Sequence, residues 1–238
     1  MNKVHLADID YMAIHQQSLF HQAHPLIKSI FSFFIIGIFI FSSDLEKNLG
    51  LLILLFFMSI GARLSFALLF HLLLYPLFFG TLFSFLMGGL WTQKGLLLLL
   101  RAVGVAWSFI FLLMTTPYTD VFRVFSFFMP SILVDIFLLT YRSIFVLLDS
   151  IENMFQVVRL RGGYDPWKII KNAKNLSKML GVIFLHAIEM SERMYQIYEL
   201  RGYEGKLPKT QKITQVVTKG DIVLISIMFL YGIRVVIF

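Results

Sequence analysis

The sequence predicts an all-α integral membrane protein, with about five transmembrane helices and two further long amphipathic helices in a basic segment. Three observations point there. The 238 residues are 58% hydrophobic and 15% charged, with a mean hydropathy of +0.79, whereas soluble domains are about 45–50% apolar and about 25% charged. Apolar runs of bilayer length recur along the chain. Finally, two helix-compatible stretches 40 residues apart each end in Leu-Arg-Gly, at Leu160-Arg161-Gly162 and Leu200-Arg201-Gly202.

The elements follow in order. The first 24 residues are polar and include Asp8 and Asp10, unlike the basic-then-apolar pattern of a cleaved signal. Pro25 suits the first turn of a helix, and Leu26 to Phe41 is the first apolar block. Ser42 to Asn48 reads as a turn carrying Asp44, Glu46 and Lys47. Leu49 to Ala62 is apolar but short against the roughly 20 residues of a full crossing. After Arg63, Leu64 to Leu90 forms a long run containing Pro76 and Gly80, breakers that membrane helices tolerate. Trp91 to Lys94 reads as an interfacial turn anchored by Trp91. Gly95 to Thr116 is another span, interrupted by Arg101.

Past Pro117 the character changes. Thr119 to Met129 mixes Asp120 and Arg123 with phenylalanines, as in a helix lying at the interface. Pro130 opens a stretch that stays helical to Arg161, about 45 Å at 1.5 Å per residue. Its polar residues Asp135, Arg142, Asp149 and Gln156 recur every seven positions, one narrow stripe on an apolar rod. Gly162 to Pro166 breaks the chain. A short basic helix with Lys168, Lys171, Lys174 and Lys178 follows, and then a second long helix from about Ser177 to Arg201. His186, Glu189, Arg193 and Gln196 line its polar face, with Glu189 and Arg193 spaced for an i,i+4 pair. Gly202 to Lys219 is a polar connector, and Ile222 to Phe238 the last apolar span.

Charge orients these pieces. Arg159 to Lys219 carries twelve Lys/Arg against five Asp/Glu, a surplus equal to the +7 of the whole chain. The positive-inside rule makes that segment cytoplasmic and sends the last span outward. Four spans ahead of it leave the N-terminus inside as well. Topology thus accounts for the basic balance without a nucleic acid. With no cysteine, disulfides and thiolate chemistry are excluded.

No catalytic motif emerges: nucleophile elbow, P-loop, kinase loop and His-Glu-x-x-His are all missing. Asp149 and Glu152 share a helical face, but nothing near them positions a substrate. His5, His15, His21 and His24 lack the carboxylate company of a metal site. His71, inside an apolar run, reads as a neutral histidine bonded to neighbouring backbone. Arg161 and Arg201 survive best. An arginine at a helix C-terminus suits the dipole, and its planar fork suits bidentate capture of a carboxylate. Capping alone would explain one such ending; two, on one side of the membrane, suggest a docking device used twice.

Several stretches carry a resemblance. His24-Pro25-Leu26-Ile27-Lys28, Thr115-Thr116-Pro117-Tyr118-Thr119-Asp120, Thr140 to Asp149, Ser191 to Gln196 and Arg201-Gly202-Tyr203-Glu204-Gly205 resemble the transmembrane component of energy-coupling-factor transporters, nearest the cobalt/nickel CbiQ branch. The resemblance implies a membrane domain over residues 1–118, a cytoplasmic coupling domain of two long crossing helices over 119–206, and a connector and final span over 207–238. It implies that Leu160, Arg161, Gly162, Leu200, Arg201 and Gly202 dock two cytoplasmic ABC-type ATPase subunits, with Arg142, Asp149, Glu189 and Arg193 supporting the coupling helices. A separate membrane subunit would bind the solute, and this chain would bind neither ATP nor the transported solute; no cofactor is expected. Leu160 and Leu200 stand where the family signature often has alanine, and Ser150 where cobalt/nickel members tend to be acidic. A vitamin-type relative stays open for that reason. A stand-alone channel or secondary carrier is the rival that would transport alone, and a membrane enzyme the rival indifferent to both arginines.

Overall fold

The computed structural model describes residues 12–14, 16, 18–89, 92–127, 129–163, 167–203 and 218–237. The chain divides into two compact units, residues 1–124 with 214–238, and residues 125–213. All elements among the described residues are helical: α1 Pro25–Phe41, α2 Leu45–Gly61, α3 Phe66–Leu86, α4 Gln93–Thr115, α5 Tyr118–Phe125, α6 Ser131–Leu160, α7 Ile169–Leu200 and α8 Lys219–Ile237.

In the first unit α4 is the hub, packed against α1, α2 and α3, while α8 packs on α1. The buried residues of α1 include Phe31, Ile35, Ile38 and Phe39, the one-face spacing of a helix. Phe39 lies against Gly104 of α4, where any Cβ would run into its ring. Gly80 of α3 lies against Leu99 and Ala102 of α4 at ordinary van der Waals distance. Lipid is as apolar as leucine, so membrane helices associate through such small-residue contacts and through polar bonds. The bonds are present too. Trp107 Nε1 donates to Ser59 Oγ at 3.1 Å, joining α4 to α2. Arg101 Nη2 donates to the Ser42 carbonyl at 2.7 Å, so the cation inside the apolar α4 satisfies the end of α1.

The outward faces stay apolar. Only 22% of the apolar window of α3 is buried, where the core helix of a soluble protein would be mostly buried. Phe70, Phe78, Phe79, Phe83 and Phe85 face away from the protein. By length and composition α3 and α4 are apolar enough to cross a bilayer, and α1 is a shorter apolar helix.

The second unit packs α6 against α7. α6 begins just after Pro130 and runs 30 residues, the length its sequence predicts. α7 is a correction. It is one helix of 32 residues from Ile169 to Leu200, not a short basic helix followed by a long one. The change from lysine-rich to apolar sequence near Ser177 alters the surface of the helix, not its backbone. No proline or helix-ending glycine lies at that point, and Gly181 sits mid-helix with open space around it. Two smaller corrections follow the same logic. α2 begins at Leu45, so Glu46 and Lys47 lie in its first turn, where Lys47 pairs with Asp44 at 2.7 Å. α5 stops at Phe125, short of Met129, its polar pair Arg123 and Asp120 joined at 3.3 Å. Trp91, Asp165, Pro166, Glu204 to Lys206 and the early residues Asp8, Asp10, His5 and His15 lie outside the described residues.

Candidate functional site

Both long helices end in the same way. At the close of α6 the Gly163 N–H donates to the Val158 carbonyl at 2.8 Å and the Gly162 N–H to the Arg159 carbonyl at 3.1 Å. At the close of α7 the Tyr203 N–H donates to the Tyr198 carbonyl at 2.9 Å and the Gly202 N–H to the Glu199 carbonyl, also at 2.9 Å. This paired closure is the Schellman motif, and it needs a left-handed residue just past the cap. Gly162 at φ +66° and Gly202 at φ +76° supply it, a conformation that any side chain would strain. The cap residues are the arginines themselves, Arg161 at φ −81°, ψ 11° and Arg201 at φ −88°, ψ 7°. Two separate sequences thus present arginine from nearly superimposable backbones.

The side chains around them point outward. Leu160 is 87% exposed and Leu200 89% exposed, each beside an exposed arginine. Among the described residues neither guanidinium makes a hydrogen bond or ion pair. An apolar side chain and a fork of donors thus stand side by side at each tip, open to the surroundings. The first ending is also tied down: Asn175 Nδ2 of α7 donates to the Gly163 carbonyl at 2.6 Å, and Lys171 Nζ lies 3.5 Å from that of Gly162. The second ending has Tyr203 folded against Tyr198, ring centroids 6.1 Å apart.

The four support residues are not gathered at the tips. Arg142 and Asp149 are exposed along α6, and Glu189 and Arg193 are exposed along α7. No ion pair joins Glu189 to Arg193 among the described residues, so the i,i+4 spacing is present without the contact. Asp135, by contrast, is buried, so the stripe of sevens runs from a covered start to an open end. His21 and His24 serve local structure. Ser18 Oγ lies 2.7 Å from His21 Nδ1, and His24 Nδ1 accepts from the Leu26 N–H at 3.3 Å as the cap of α1. Burial, and next the charge of Lys28, hold the His21 imidazole below its ordinary 6.5. His71 is exposed on α3 with its ring edge-on to Tyr75.

One cluster escaped the sequence reading. Lys28, buried one turn into α1, donates to the carbonyls of Thr115 at 2.8 Å and His21 at 3.1 Å. Asp221, buried in the first turn of α8, accepts from the His24 N–H at 2.7 Å. It also accepts from the N–H of Thr218 at 2.8 Å and from its hydroxyl at 2.9 Å. Two signals were available. A lysine inside an apolar block is expensive unless it has partners, and Thr218-Lys219-Gly220-Asp221 ahead of an apolar run has the spacing of a capping box.

The sequence matches the family described as CbiQ, cobalt transport protein, over residues 16–213. The chain belongs to the CbiQ family. It is a membrane protein of a transport family, in keeping with the apolar outer faces of its helices. An uncharacterised protein of Methanocaldococcus jannaschii is 35% identical over 122 residues, covering 51% of this chain and 45% of that one. A protein of Methanocorpusculum labreanum named as a fused cobalt transport protein, CbiMQ, is 31% identical over 110 residues, covering 46% of this chain and 18% of the other. The matched stretches span less than half the length of either relative.

Proposed function

We propose that this chain is the transmembrane scaffold and energy-coupling subunit of an ATP-driven uptake transporter of the energy-coupling-factor type, for cobalt or nickel. α1, α2, α3, α4 and α8 are its five spans. α1 and α2, at 17 residues each, are about 26 Å long, near the lower limit for crossing a bilayer core of about 30 Å. α6 and α7 form the cytoplasmic coupling unit, and Arg161 and Arg201 each enter a groove in an ATPase subunit. A separate membrane subunit selects the cation. Nucleotide-driven movement of the ATPases pulls on the arginine tips, rocks the two long helices and reorients that subunit.

The observation that carries this reading is the repeated Schellman ending. An arginine used only to cap its own helix needs no exposed leucine beside it, yet Leu160 and Leu200 both stand exposed next to one. The relative named as a fused CbiMQ supports the idea of a companion part, since its name joins two parts in one chain. The test is co-purification of this chain with ABC-type ATPases and a membrane substrate-binding subunit from the same cell, followed by cobalt uptake in vesicles. Uptake that requires the ATPases supports the proposal; uptake by the purified chain alone overturns it. The cation or vitamin bound by the companion subunit identifies the cargo.

A further inference from the structure

The chain leaves the first unit after Val124 and returns at Thr214. Within that unit, both ends of the excursion are fastened to the same short segment, residues 19–28. On the outgoing side, Lys28 Nζ takes the carbonyl of Thr115, the last residue of α4. On the returning side, one oxygen of Asp221 closes the capping box of α8 on Thr218, and its other oxygen takes the N–H of His24, the cap residue of α1. Gly220 brings α8 so close that a Cβ there would run into the Leu19 carbonyl and touch Ala23. The side chains of Asp120 and Asp221 both lie near that of Lys28. Three helix ends, those of α1, α4 and α8, thus converge on one buried lysine and one buried aspartate.

We infer that Lys28 and Asp221 form a clasp that fixes the ends of α1, α4 and α8 to one another within the first unit, making them positioning residues for energy coupling. The inference rests on the proposed function, because it supposes that work enters through Arg161 and Arg201. A pull on a lever is transmitted only if the lever's base does not yield. With the clasp open, α4 and α8 can shift at their ends and absorb the stroke. Hydrolysis then continues without transport. Packing alone does not require this arrangement, since α1, α4 and α8 already meet through apolar residues such as Phe31, Met114 and Leu224.

The experiment compares cobalt moved per ATP hydrolysed in vesicles holding the full complex, wild type against Lys28→Met and Asp221→Asn. The expected result is a fall of about tenfold in that ratio, with ATPase co-purification and hydrolysis changed less than about twofold. If uptake and hydrolysis fall together and the ratio stays constant, the two residues only stabilise the fold and the inference is overturned. Should either variant fail to assemble, Thr218→Val keeps both charges and removes one hydroxyl from the clasp. Its ratio should fall about threefold, and an unchanged ratio again overturns the inference. Failure of the proposed function looks different: wild-type uptake would then proceed without ATP, and both ideas would fall together.

Discussion

The two units use polar side chains in opposite ways. In the first, Lys28, Ser59, Arg101, Thr115 and Asp221 are turned inward and matched to partners within the chain. In the second, Arg142, Asp149, Arg161, Glu189, Arg193 and Arg201 are exposed along and at the ends of two long helices. A membrane-embedded unit must satisfy its polar groups internally, because the hydrocarbon region offers no water to do so. In the second unit charged groups stay open beside exposed leucines at the very tips, the feature on which the proposed docking rests.

Four experiments would break or sharpen that contrast, taken from the largest effect downward. Reversing both tips, Arg161→Glu with Arg201→Glu, should lower ATPase association and cobalt uptake by more than about a hundredfold, each single reversal doing less. The thermal unfolding of the detergent-solubilised chain should be unchanged, because the tips are exposed. Wild-type uptake by the double variant would remove the contrast altogether.

In the first unit the sensitive positions are interior ones. Gly104→Leu forces a side chain into the Phe39 ring and should destabilise the chain by about 1–3 kcal/mol. Combining it with Phe39→Ala should recover part of the loss, as read by thermal unfolding. No recovery would mean that the α1–α4 contact is not what limits packing there.

Gly162→Ala and Gly202→Ala meet no neighbouring atom, yet each puts a side chain at positive φ, at a cost of about 1 kcal/mol. Their effect on stability should be small and their effect on ATPase association larger, because the turn aims the arginine. Equal effects of both alanines on both measurements would show that aim does not matter.

The smallest effect is a pH response of the first unit. The folded-state pKa of His21 lies below its ordinary value, because burial and then Lys28 disfavour the imidazolium. Its contribution to stability is therefore fully present above about 6.5 and is lost as the pH falls through the lowered value. His21→Gln should flatten that part of the stability profile in thermal scans between about pH 7.5 and 5.

The elements were most legible where the signal was local. Pro25 opens α1, Pro130 precedes α6, and the glycines past Arg161 and Arg201 mark both long helix ends, each within a few residues of the feature it controls. α7 was misread because a change in side-chain polarity at Ser177 looked like a break, although no residue there prevents helical hydrogen bonding. At the tips, the arginines and glycines were visible in the sequence, but the matching dihedral angles and the outward leucines were not. The clasp was hidden for another reason. Lys28 reaches a carbonyl 87 positions away, and Asp221 an N–H 197 positions away. No periodicity or motif reports a contact of that range.

The two helix ends also differ at the residue after each glycine, with a consequence for the motor they would engage. Gly163 follows the first turn with no side chain, whereas Tyr203 follows the second and sets a phenol ring beside it. Two equal sockets would therefore find the same cationic plug but unequal collars. An ATPase pair built from one gene product could seat both plugs, yet its two halves would not be held equivalently. The assembly would carry a built-in left and right.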